Sequence, residues 1–177
     1  MSCRFTMPFL LLLLAACASV QRPTPVADVP ANIKPGADES LALVLPAKGV
    51  QIYECRAKKD QAGQYEWAFV APDADLFDAR GAKVGKHSAG PLWESTDGSK
   101  IVGKVKERAE APRSDAIPWL LLTSKSAGSA GSFSKITSVQ RVNTVGGVPP
   151  KDGCSRSTVG AIGRVSYTAD YRFFAPK

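Results

Sequence analysis

Val50-Gln51-Ile52-Tyr53-Glu54-Cys55-Arg56 alternates its side chains with a period of two, and after the polar, glycine-containing turn 58–64 the chain resumes as Tyr65-Glu66-Trp67-Ala68-Phe69, with three rings on one face. A period of two places alternate side chains on opposite faces of a strand. Two such runs across a short turn read as a β-hairpin. Working outward, Pro91-Leu92-Trp93-Glu94-Ser95 and Lys100-Ile101-Val102-Gly103-Lys104-Val105 flank Asp97-Gly98, a pair suited to the positive φ angles of a tight hairpin turn. Trp119-Leu120-Leu121-Leu122-Thr123 follows Pro118 and is apolar throughout, which fits a strand buried on both faces better than a helix too short to stand alone. Ile136 to Thr144 and Val165 to Phe174 complete the set, the second aligning Val165, Tyr167, Ala169, Tyr171 and Phe173, and Leu41 to Leu45 adds an edge strand. The expected fold is all-β, a single β-sandwich or squat barrel of about seven or eight mostly antiparallel strands.

The amino-terminal end of the chain has a different character. Residues 1–16 read as a signal peptide: Arg4 is the positive region, Phe9 to Leu14 the apolar region, and Leu14-Ala15-Ala16-Cys17 a small-residue cleavage site. The apolar run falls far short of the roughly 20 residues of a membrane-spanning helix. It resembles the signal of bacterial lipoproteins, which implies palmitate-type acylation of Cys17. With Ala18 in place of an aspartate, the resemblance also implies an outer-membrane anchor facing the periplasm. Residues 17–36, with Pro23, Pro25, Pro30 and Pro35, read as an extended tether. Residues 37–177 read as one β-rich globular domain.

Cys3 falls within the signal and Cys17 carries the lipid, so of the four cysteines Cys55 and Cys154 remain. An even pair in an oxidising compartment joins as a disulfide. The formal charge of +7 is spread among interleaved acids, with no basic run longer than Lys58-Lys59. That pattern suits solubility or an anionic envelope component and does not suggest nucleic acid.

Three motifs invite chemistry. Gly98-Ser-Lys-Ile-Val-Gly-Lys104 has phosphate-loop spacing, but Val105 stands where a magnesium-binding hydroxyl is needed and no helix follows. Asp73-Ala-Asp75-Leu-Phe-Asp78 bunches carboxylates, yet Phe77 interrupts any calcium loop, and the segment reads as a solvated turn. His87 is the single histidine, so imidazole catalysis must pass through it, but no G-x-S-x-G elbow accompanies it. Trp67, Trp93, Trp119, Tyr167 and Tyr171 read as core, with a saccharide-stacking face as the alternative. No catalytic residue, metal or cofactor is assigned.

The phrases Val50 to Cys55, Gly85-Lys-His-Ser-Ala-Gly-Pro-Leu-Trp-Glu94, Pro118 to Leu122, Arg141-Val-Asn-Thr-Val-Gly-Gly147 and Tyr167-Thr-Ala-Asp-Tyr171 resemble a secreted domain-of-unknown-function family, DUF3455. The resemblance directs attention to His87, Trp93, Arg141 and Asn143 as candidate ligand-binding residues. The resulting expectation is a lipid-anchored envelope protein acting as a binding or interaction module. An envelope hydrolase using His87, or a purely structural component, are the alternatives.

Overall fold

The hairpin expected around Val50 and Phe69 forms, and both of its strands run further than their alternating cores. The computed structural model describes residues 29–177, so the signal reading and Cys17 lie outside the described residues. Eight strands follow in order: β1 Glu39–Ala57, β2 Tyr65–Phe77, β3 Lys83–Ser88, β4 Leu92–Ser95, β5 Lys100–Ala109, β6 Trp119–Ser126, β7 Ser138–Gly146 and β8 Ile162–Pro176. Each pairs antiparallel with the next, and β1 pairs with β8 from Glu39↔Pro176 to Glu54↔Ile162. The sheet therefore closes, which selects the squat barrel over the sandwich.

Two sequence expectations need correction. Leu41 to Leu45 is not a separate strand; it opens β1, where it pairs with β8 alone, and pairing with β2 begins at Ala47. Asp73 to Asp78 is not a solvated turn. Asp73 and Asp75 are outward positions of β2, paired with Arg164 and Lys83, while Pro72, Ala74 and Leu76 face inward. Asp78 alone belongs to a turn, accepting the backbone N–H groups of Arg80 and Ala82 at 2.8 and 2.9 Å.

The amino-terminal arm also departs from a free tether before residue 36. Ile33, in a short 3-10 turn, is fully buried against Trp119, Leu121 and Val142 on the outer wall. The Gln140 side-chain amide donates to the Ile33 carbonyl at 2.7 Å. This strap explains why β6 is apolar at every position from Trp119 to Leu122: Leu120 and Leu122 pack inside the barrel while Trp119 and Leu121 pack under the arm.

The disulfide joins Cys55, near the end of β1, to Cys154 in the β7–β8 loop, with Cα atoms 5.3 Å apart. The indole N–H of Trp67 donates to the Asp152 carbonyl of the same loop at 2.8 Å. One end of the barrel is filled. Phe133, carried in by the β6–β7 loop, stacks on Phe173 at 4.9 Å, above Ile101, Leu76 and Ile136. Asp97, in the β4–β5 turn where Gly98 takes a φ of +85°, accepts from the backbone and hydroxyl of both Ser99 and Ser132 and pins that loop in place.

Candidate functional site

An eight-stranded barrel has an interior just wide enough to be filled by side chains or to hold one small ligand. Both outcomes occur here. Beyond the Phe133–Phe173 stack lies a cavity of about 430 Å³, lined in part by Ala89, Gly90 and Pro91 of the β3–β4 turn and by Ile117 and Pro118 of the β5–β6 connection. Its walls are mainly apolar, with Phe69, Val105, Leu120 and Leu122 prominent, and the polar groups are Gln51, Tyr53, His87, Arg108, Arg141 and Tyr171.

The β3–β4 hairpin places His87 and Trp93 opposite one another, and their rings stack at 4.5 Å with an 11° tilt. Tyr171 meets the imidazole edge-on at 4.9 Å. The indole fits because β5 carries Gly103 beside it; a Cβ there would stand 2.7 Å from the Trp93 ring. His87 is 3% exposed, and its Nδ1 lies 3.0 Å from the Leu92 carbonyl. A carbonyl only accepts, so Nδ1 carries the proton and Nε2 the lone pair. Burial pushes the imidazole pKa down to about 3, and the Arg141 cation presses in the same direction against the opposing effect of the Leu92 bond. His87 is therefore neutral at physiological pH. Leu92 is its one hydrogen-bond partner among the described residues, with no serine or carboxylate placed to form a triad.

Arg141 occupies an inward position of β7, opposite Tyr171 of β8. Its Nε and Nη2 donate to the Pro118 carbonyl at 3.2 and 2.8 Å, which orients the guanidinium along the cavity wall. Among the described residues, no aspartate or glutamate lines the cavity. Trp93, fully buried, holds an indole N–H with no hydrogen-bond partner among the described residues, while the buried Gln51 amide approaches the Tyr167 hydroxyl. Tyr53 is satisfied, donating to the Gly147 carbonyl at 2.6 Å.

Three of the four candidate residues thus meet in one place: His87, Trp93 and Arg141. Asn143 does not join them. It takes a φ of 52°, a conformation asparagine tolerates better than most residues, and its amide donates to Asp170 at 2.8 Å where the β7–β8 register shifts. The aromatic residues do not form a common exposed face: Trp93, Tyr167 and Tyr171 point into the barrel, Trp119 lies under the amino-terminal arm and Trp67 is tied to the β7–β8 loop. Sequence reasoning did not single out Gln51, Tyr53 or Arg108. For Gln51 a signal existed, since it falls in phase with Tyr53 and Cys55, an amide on the apolar face of a strand.

The model of a family described as protein of unknown function (DUF3455) matches residues 35–175. No curated protein and no solved structure matches the chain.

Proposed function

The chain belongs to the DUF3455 family, and from the geometry of its barrel we propose that it is a binding module of the cell envelope, held at the outer membrane through a lipid on Cys17, that takes a small, largely apolar ligand in the mouth of the barrel. The observation that carries this reading is the cavity itself: about 430 Å³ of mainly apolar space with a few convergent polar groups, within the range of small-ligand sites. Binding suits His87 better than hydrolysis does, because a buried imidazole bonded to a backbone carbonyl and stacked on Trp93 is a wall, with no nucleophile in reach. The arm that leads to the lipid docks beside this mouth, Asn32 donating to the carbonyl of Arg108, itself a cavity residue.

Phenylnaphthylamine, a neutral apolar fluorophore, tests the reading. The protein should enhance its emission saturably, and Val105→Trp, which fills the cavity from a half-buried wall position, should remove the enhancement while leaving the circular dichroism spectrum unchanged. Non-saturable enhancement, or equal enhancement by a folded Val105→Trp, would count against a ligand site in the barrel.

A further inference from the structure

The polar lining of the cavity has one sign. Arg141 and Arg108 are cations, the imidazole is neutral, and among the described residues no carboxylate lines the space. The ion pairs among the described residues include neither arginine. The Pro118 carbonyl accepts from Arg141 but brings no compensating charge. Around the same space the Trp93 indole N–H has no acceptor among the described residues. A half-buried guanidinium with neutral hydrogen-bond partners and no counter-ion is costly, and the cost is relieved by an anion that also accepts hydrogen bonds.

Building on the binding reading above, we propose that the cavity takes an amphipathic carboxylate, a small acid with an apolar body, and that Arg141 holds its head group. The planar guanidinium matches a carboxylate in geometry, and the donors committed neither to Pro118 nor to the Tyr171 hydroxyl are available for it. The apolar body then lies against Leu120, Leu122 and Val105, while Arg108, exposed at the rim, adds a favourable field for an approaching anion.

Displacement of bound phenylnaphthylamine by decanoate and by decanol, which share a chain length and differ in the head group, provides the test. In an apolar site without a cation decanol binds better, because the carboxylate must shed its water. The wild type should instead take decanoate at concentrations about tenfold lower or more, and Arg141→Met should invert that order. A wild type that favours decanol, binds the two equally or is displaced by neither overturns the carboxylate proposal while the probe signal keeps the binding site standing. An Arg141→Met variant that still favours decanoate removes Arg141 from the role. Failure of the probe itself to bind overturns the binding reading and this proposal with it. Should Arg141→Met not fold, the wild-type ratio alone decides the ligand class.

Discussion

At one end of the barrel Phe133 and Phe173 stack and pack with Ile101, Leu76 and Ile136; at the other, β1, β3 and β7 turn Gln51, His87 and Arg141 toward open space. The transition is abrupt. On β7 and β8 the inward pair Val139↔Phe173 belongs to the filled end, and the next inward pair, Arg141↔Tyr171, belongs to the cavity. A single step of the two-residue repeat separates packed hydrocarbon from a lined site. The filled end supplies apolar burial, and the open end spends some of that stability on polar groups that packing alone would exclude.

The largest expected effect breaks the filled end. Phe133→Ala removes a buried ring and leaves a void against Phe173, and such truncations cost about 3–5 kcal/mol. Urea unfolding should show the midpoint falling by a corresponding amount at unchanged slope. A loss under about 1 kcal/mol would mean that the β6–β7 loop is not part of the core.

The second effect sharpens the contrast from the open end. His87 has a folded pKa depressed from 6.5 to about 3, chiefly by burial. The unfolded ring therefore takes up a proton below about 6.5 while the folded ring does not, so its contribution to stability is complete above that pH and is lost as pH falls toward 3. Arg141 and the rings of Trp93 and Tyr171 are the groups facing it. Between pH 7 and pH 4 the wild type should lose about 3 kcal/mol through this group, and His87→Phe should flatten the slope over that interval. Asp97, at the filled end, is held well below the usual carboxylate range by hydrogen bonds from Ser132 and Ser99; its contribution is lost only as pH falls below about 4. Equal acid sensitivity in wild type and His87→Phe would remove the imidazole as the source.

The two ends were unequally legible in the sequence. Alternation exposed Tyr167, Ala169, Tyr171 and Phe173 as one face, and Asp97-Gly98 marked its turn, because each depends on neighbours in the chain. The missing half of β2 had the same alternation, but Pro72 and Ala74 are weak strand formers and the flanking aspartates mimic a turn; its pairing with β1 and β3 overrides local preference. Barrel and sandwich share a period of two, and only the β1–β8 pairing separates them. Arg141 stood out by family resemblance alone. Its neighbours Val139 and Val142 are buried on opposite faces of β7, inside the barrel and under the arm, and alternation cannot say which face holds the cavity.

The smallest effect asks whether the ends are independent. Ser99 is wholly buried; its hydroxyl accepts the Phe133 N–H at 3.1 Å and donates to Asp97 at 2.6 Å. Ser99→Ala keeps the volume nearly constant and strands the Phe133 N–H, a loss of about 1–3 kcal/mol. Since Ser99 lies outside the cavity lining, phenylnaphthylamine binding should persist while the Phe133 amide exchanges its hydrogen faster with solvent. If the same substitution abolishes probe binding in a protein that remains folded, the cavity depends on the clasp between the β4–β5 turn and the β6–β7 loop, and the two ends act as one unit.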